Sequence, residues 1–315
     1  MMTCGACEGE LPDAAYSEGP PRCRQSIMKK GRKRSEEDDC PICNRPLPLD
    51  DRQSSFKACC MKRVCNGCTL AARKRGMFDC AFCRTPIPDE DDIIAMVQKR
   101  VDAGDPKAIC RLGSSYFYGM LGLEKDVTRA VELYERAAEF GVKEAHYNLG
   151  VLYNEGTDVR RDTAKAIRHY EAAAMLGHVS ARFNLGNEEA RAGNFCVALQ
   201  HYLIAAKMGH EGALNPIRRM LMGGDATKAD YSEAMRGYQS AIEEMRSPDR
   251  DEALALGIEN IFLMWSGAND GLVGEKEPRR GGGAVARPVK VMTQSEMGPM
   301  NEEAAGDGKD GCAPA

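Results

Sequence analysis

Eight cysteines crowd into 44 residues of this 315-residue chain, and their spacing carries the clearest chemistry in the sequence. The order is Cys40-x2-Cys43, fifteen residues, Cys59-Cys60, four residues, Cys65-x2-Cys68, eleven residues, Cys80-x2-Cys83. Eight thiols are the number that two tetrahedral zinc ions require. Met1 to Glu10 contain no apolar stretch of the kind a secretory signal needs, so the chain is expected in the cytoplasm or nucleus, where thiols stay reduced. The cluster therefore reads as metal ligation and not as a disulfide framework. A redox C-x2-C opens a helix in a strand-helix-strand unit, a context absent here, and three such motifs exceed what one redox centre uses. All five histidines, His146, His169, His178, His201 and His210, lie elsewhere, so the expected zinc sites are all-thiolate. With so few large apolar residues, the segment should draw most of its folding free energy from the metal.

Three knuckles and a vicinal pair in this order resemble a RING finger, in the eight-cysteine variant that uses no histidine, from Cys40 to about Pro86. The resemblance implies a cross-brace in which Cys40, Cys43, Cys65 and Cys68 share one zinc ion and Cys59, Cys60, Cys80 and Cys83 share the other. Two positions depart from the common pattern. Lys62 stands where histidine is usual, so Cys59 must substitute for it, giving either adjacent ligands on one ion or a second site of three thiols; Ala81 follows Cys80 where proline is usual. RING fingers contain no nucleophile and no general base. What the resemblance implies is a surface that binds a ubiquitin-conjugating enzyme charged with ubiquitin and holds its thioester in a reactive orientation. Ile42 would make the apolar contact to that enzyme, Arg84 would be the linchpin cation that hydrogen-bonds both the enzyme and ubiquitin, and Pro86 fits the exit of the second zinc loop. The competing class is a non-enzymatic adaptor with a structural zinc finger.

The elements that follow the cysteines repeat. Ala108, Leu112, Gly113, Tyr116, Ala130, Tyr134, Ala137, Ala138 and Gly141 recur in order as Ala145, Leu149, Gly150, Tyr153, Ala166, Tyr170, Ala173, Ala174 and Gly177. A third copy keeps Ala181, Leu185, Gly186, Ala198, Tyr202, Ala205, Ala206 and Gly209 but has Glu189 at the first tyrosine, and a degenerate fourth keeps Ala213, Ile217, Ala234, Tyr238 and Ala241. The copies begin 37, 36 and 32 residues apart. Apolar residues at i, i+4 and i+8 give each half-repeat one helical stripe. Asp126, Asp162, Asn194 and Asp230 stand where N-caps belong, and Gly141, Gly177 and Gly209 where helices end. The residues missing from the third copy are expected between Glu189 and Asn194, in the connecting loop. The tyrosines are expected in the core.

The pattern A-x3-LG-x2-Y, then D-x3-A-x3-Y-x2-AA-x2-G, resembles the Sel1-like repeat, a relative of the tetratricopeptide repeat. The resemblance implies a right-handed superhelix of helix pairs whose concave surface binds other proteins, here a protein substrate or scaffolded proteins.

The expected fold is thus mainly α: a Sel1-like solenoid behind a small zinc-stabilised α+β RING-type domain, with disordered ends. The expected segments are a leader over 1–38, the zinc finger over 39–89 with one helix near Leu70 to Arg75, and the solenoid over 92–246. Its repeats fall near 108–144, 145–180, 181–212 and 213–246, followed by a helix over 248–266 and a Gly-rich tail over 267–315. In the leader, Cys4, Cys7 and Cys23 form three quarters of another knuckle, with Ser26 where a fourth thiol belongs, and Lys29 to Arg34 resemble a nuclear-localisation cluster before a switch to Glu36–Asp39. Cys110, Cys196 and Cys312 have no partners at ligand spacing, and the two in helices read as small core residues. No apolar run approaches the ~18 residues of a membrane span. The net charge of -4 argues against a general nucleic-acid binder, and the cations of the cysteine segment are accounted for as partners of electron-rich zinc-thiolate centres.

Overall fold

The computed structural model describes residues 2–3, 10–11, 28, 34 and 36–258. Two strands of two residues, β1 (Met2–Thr3) and β2 (Glu10–Leu11), pair antiparallel. In the cysteine segment β3 (Ser54–Lys57) pairs antiparallel with β4 (Lys62–Cys65), Ser54 opposite Cys65 and Lys57 opposite Lys62, and α1 (Asn66–Lys74) follows at once. The rest is helical: α2 (Glu90–Asp102), α3 (Pro106–Tyr118), α4 (Val127–Glu139), α5 (Lys143–Glu155), α6 (Thr163–Met175), α7 (Val179–Arg191), α8 (Phe195–Lys207), α9 (Leu214–Gly223), α10 (Lys228–Met245) and α11 (Pro248–Ala255). The helices from α3 to α8 pack as consecutive pairs, one pair per repeat, and α9 with α10 forms the degenerate fourth. Among the described residues no helix is long and apolar enough to cross a membrane.

Local chemistry sets the helix ends. The Asp126 carboxylate accepts from the Arg129 N–H at 2.9 Å and Asp162 from the Lys165 N–H at 2.9 Å, each satisfying an orphan donor of a first turn. Two other expected caps are corrected. Asn194 occupies the cap position of α8 without capping it; its Nδ2 donates to Glu189 Oε2 at 2.8 Å. In the fourth copy the cap is Thr227; Asp230 lies in the first turn and accepts from the Thr227 N–H at 2.8 Å, closing a reciprocal capping box. Gly141, Gly177 and Gly209 take left-handed backbone with φ of 75°, 85° and 93° just past α4, α6 and α8. The shortened third connection is tighter than expected: α7 runs on to Arg191, so Glu189 is helical and only residues 192–194 link it to α8.

Each repeat closes on one contact. Tyr134, Tyr170 and Tyr202, on the second helices, are buried, and their rings lie against Gly113, Gly150 and Gly186 on the first. A Cβ would stand 2.6 Å from the Tyr170 ring at Gly150, 2.6 Å from Tyr202 at Gly186 and 3.0 Å from Tyr134 at Gly113. The phenol of Tyr134 donates to Ser114 Oγ at 3.1 Å and that of Tyr202 to Asn187 Oδ1 at 2.9 Å, so the polar ends are satisfied at the rim of the contact. Tyr116 and Tyr153, on the first helices, are only half-buried and pack at the edge of the core.

Several expectations change. Helix α1 starts at Asn66, four residues before the expected Leu70, because Cys65 Sγ accepts from the Cys68 N–H at 3.4 Å and serves as its cap. Helix α11 ends at Ala255 and is followed by Gly257 at φ 64°, well short of residue 266. The end of the leader is not a free segment: Met28, Arg34, Glu37 and Asp38 all bond to other parts of the chain. Cys110 is buried as expected, with burial pushing its thiol up, but Cys196 is exposed at the start of α8. The incomplete knuckle of Cys4, Cys7, Cys23 and Ser26, the cations of residues 29–33, residues 259–266, the Gly-rich tail and Cys312 lie outside the described residues.

Alanine is a better helix former than glycine by about 1 kcal/mol. At Gly150 and Gly186 the sign should reverse, because the added methyl meets a buried ring: each Gly→Ala change is expected to destabilise the chain by about 1–3 kcal/mol. Gly113→Ala should cost less. Denaturation midpoints of the three variants check the order, and equal midpoints would mean that the ring does not set the helix spacing.

Candidate metal centre

The fold gathers the eight clustered cysteines into two groups of four. Cys40, Cys43, Cys65 and Cys68 form one and Cys59, Cys60, Cys80 and Cys83 the other, and within each group the sulfurs all lie within 4.8 Å of one another. Alternate pairs along the chain are thus joined, and β3, β4 and α1 pass between the two groups. Four sulfurs on a tetrahedral zinc with arms of about 2.3 Å would stand about 3.8 Å apart. Cys43 and Cys65 are 4.0 Å apart, Cys60 and Cys80 4.0 Å, and Cys59 and Cys83 3.4 Å. The donor set and spacing fit a divalent ion in each group.

Backbone turns aim the sulfurs. In the first knuckle the Asn44 N–H donates to the Cys40 carbonyl at 2.8 Å and the Cys40 N–H to that of Arg45 at 2.9 Å. The last knuckle repeats this, from the Arg84 N–H to Cys80 at 3.0 Å and from the Cys80 N–H to Thr85 at 2.9 Å. Asn44 and Arg84 close these turns with left-handed backbone, φ 51° and 64°, and Met61 does the same after Cys60 at φ 54°. The loop between β3 and β4 can therefore direct the adjacent Cys59 and Cys60 into one group, the tight geometry that the sequence raised.

Burial and hydrogen bonds among the sulfurs spread the acidities of the thiols. A hydrogen bond from Cys65, then one from Cys68, holds Cys40 far below the ordinary thiol range. Hydrogen bonding with that same Cys40 is what chiefly pushes Cys65 up, to about 11, and it pushes Cys68 up as well. In the second group burial drives Cys59 and Cys60 up, the latter to about 11. Burial also raises Cys83, but hydrogen bonds with the Thr85 side chain and backbone and with Cys59 and Cys80 outweigh it and bring the thiol to about 6. Each group thus holds one thiol below the ordinary range and two above it. A divalent ion supplies the missing attraction and displaces the remaining protons, so metal uptake weakens as pH falls.

Three cations stand around the groups, and sequence reasoning missed two of them, Arg250 and Arg100. Arg250, in the first turn of α11, donates from Nη2 to Cys43 Sγ at 3.3 Å and to the Arg45 carbonyl at 3.2 Å, and from Nη1 to the Pro46 carbonyl at 2.6 Å and the Met245 carbonyl at 2.5 Å. It lies more than 200 residues from Cys43 in sequence, and no local pattern marks it. Helix α11 comes this close because residue 67 is glycine: a Cβ there would stand 2.6 Å from the Arg250 nitrogen. Arg100, on α2, donates to the Cys59 carbonyl at 3.0 Å. Lys57 is desolvated beside the second group, which lowers its pKa although the nearby cysteines oppose the shift.

Ile42, Arg84 and Pro86 are all exposed. Ile42 and Phe82 hold the same place in their knuckles and are exposed to the same degree, 40% and 41%. The Arg84 guanidinium contacts Met77 Sδ.

The Sel1 repeat family matches residues 106–141, 143–178, 197–210 and 219–244. The chain therefore carries Sel1 repeats, built as the α-solenoid just described. The matched residues miss α7, whose copy has Glu189 for tyrosine, and none falls in the cysteine segment. Among solved structures, a Sel1 repeat protein from Oxalobacter formigenes is 26% identical, with 56% of this chain and 71% of that one covered and a TM-score of 0.45. A protective antigen present in uropathogenic Escherichia coli strains, displaying an SLR fold, is 24% identical over 62% of this chain, with a TM-score of 0.44; this chain spans 42% of its length. No curated protein matches the chain.

Arg250→Ala removes a donor to Cys43 and to the Arg45, Pro46 and Met245 carbonyls, of which Arg45 keeps the Cys40 N–H. A chelator is expected to strip the first group about 10-fold faster than in the wild type and the second at an unchanged rate, the size usual for losing a partner of a metal ligand. Metal release followed with a chromogenic chelator checks this, and unchanged biphasic kinetics would remove Arg250 from the site.

Proposed function

We propose that the chain is a RING-type ubiquitin-protein ligase in which residues 39–89, holding two zinc ions, recruit a charged ubiquitin-conjugating enzyme, and the Sel1 repeats over 92–246 bind the protein substrate. The carrying observation is the interleaving of the two cysteine groups, first pair with third and second with fourth, with Ile42, Arg84 and Pro86 left exposed beside them. Zinc in such closed four-thiol sites is structural. The transfer belongs to the recruited enzyme: a substrate lysine amine bonds to the thioester carbonyl carbon, the carbon–sulfur bond breaks, and the thiol leaves with a proton from the amine. This chain's part is orientation, with Ile42 and Pro86 as apolar contacts and Arg84 as the cation that hydrogen-bonds enzyme and ubiquitin together.

A second reading, a non-enzymatic scaffold with a structural metal module, is favoured by Lys62 and Ala81, which replace residues usual in RING fingers. Protein–protein scaffolding is common to both readings, since Sel1 repeats are interaction repeats.

Arg84→Ala separates them. Arginine and alanine both carry a Cβ, so the left-handed backbone at this position costs the same in either, and the knuckle should keep its metal. The wild type is expected to accelerate ubiquitin discharge from charged conjugating enzymes to free lysine, and Arg84→Ala to lose most of that acceleration with metal content unchanged. No acceleration across a broad panel of conjugating enzymes, with two zinc ions bound, would establish the scaffold.

A further inference from the structure

Met28, Glu37 and Asp38 lie against the first helices of the first three repeats. Met28, like Tyr147 and Val151 of α5, packs against the buried cluster that includes Tyr170, Ala181 and Leu185. Its carbonyl accepts from Nη1 of Arg182, on α7, at 3.0 Å. Further along, Glu37 Oε2 pairs with Lys107, in the first turn of α3, at 3.0 Å, and Asp38 Oδ1 and Oδ2 accept from Lys143, the first residue of α5, at 2.5 and 2.6 Å. The Lys143–Asp38 pair is largely enclosed, its side chains 11% and 17% exposed. Carboxylates are favoured at helix N-termini, and here each also meets a lysine. The face therefore offers an apolar socket, a guanidinium for one backbone carbonyl and two cationic helix starts in a row.

We infer that this face is a docking site for a linear segment that carries an apolar anchor and, on its C-terminal side, adjacent carboxylates, and that Met28, Glu37 and Asp38 occupy it as parts of a ligand in cis. A segment of another protein with the same anchor and carboxylates gains the face by displacing the chain's own. The inference rests on the reading that the repeats bind proteins. It differs from that reading in naming which face, which chemistry, and a competitor already in place.

The test uses the zinc-loaded full-length chain and a fluorescent synthetic peptide spanning residues 24–39. The wild type should bind the peptide weakly, because its own segment competes. The double variant Glu37→Lys/Asp38→Lys, whose segment can no longer pair with Lys107 and Lys143, should bind it at least about tenfold more tightly, a difference of about 1.4 kcal/mol. Adding Lys143→Glu should abolish that gain. Equal affinity for wild type and double variant, or binding that survives Lys143→Glu, would overturn the cis ligand while leaving the repeats as protein binders through another face. If the double variant loses zinc or helicity, the wild type decides alone: with excess peptide, hydrogen exchange of its own residues 36–39 should rise. Unchanged exchange at saturating peptide overturns the inference. Neither result depends on ubiquitin discharge, so the failure of either idea is seen separately.

Discussion

A tyrosine ring laid over a glycine leaves no room for a methyl group, and at Gly113, Gly150 and Gly186 that contact decides how closely the two helices of a repeat approach. Small residues on the stripes extend the same logic: Ala108, Ala130, Ala145, Ala166, Ala181 and Ala198 are all buried to the point of having no exposed surface. With the pairs closed to this distance, the first helices fall at a regular interval, and their starts present Lys107 and Lys143 in series. The rest of the described chain is placed by that spacing. The leader meets cations spaced along the face, and the cysteine segment rests on the helices around it.

The metal module has little core of its own. Cys40, Leu47, Val64 and Cys65 form its only buried cluster that is not shared, among the described residues. Other apolar side chains of the module pack on the solenoid: Ala58, Met61 and Phe56 lie with Ile93, Val97 and Ile109, and Leu49 joins the cluster of α8 and α9. Arg111 lies over the Phe56 ring at 4.9 Å. Charge follows the same plan, with sulfurs inside and Arg250, Arg100 and Lys57 around them. A divalent ion and these cations act on the same thiolates, so metal binding and docking of the module on the solenoid support each other. The module and the solenoid fall within one compact unit, Met1–Phe262.

The repeats were legible because their signal is local. Helical stripes, cap aspartates and closing glycines each act within one or two turns, and they locate the six helices from α3 to α8. The cysteine spacing was legible for the same reason, and the resemblance supplied its interleaving. What could not be read depends on long-range contact. Arg250 meets Cys43 only because α11 returns from the far end of the solenoid to the face of α1 that Gly67 leaves bare. The run from Glu36 to Asp39 reads as a solvated charge switch until α3 and α5 bring Lys107 and Lys143 against it. At Asn194 and Asp230 the residue type was right for a cap, but neighbouring acceptors and donors, Glu189 and Thr227, took the hydrogen bonds.

Docking the module against the solenoid also constrains any transfer chemistry. Helix α11 covers α1 on the side of Gly67 and Lys74, where Lys74 pairs with Glu252, and α2 approaches the second group through Arg100. The knuckle tips escape both: Ile42 and Phe82 keep about two-fifths of their surface, and Arg84 and Pro86 are open. A conjugating enzyme contacting these tips would meet them without disturbing the packed side of the module. The leader, held on the first-helix face by Lys107, Lys143 and Arg182, lies at a different set of contacts. On the proposed function, recruitment of a conjugating enzyme and opening of the first-helix face would use separate sets of contacts. With the module seated on the solenoid by buried side chains rather than joined by a slack linker, the distance between the two is set by packing, and a bound substrate would present its lysines to the thioester over a limited range.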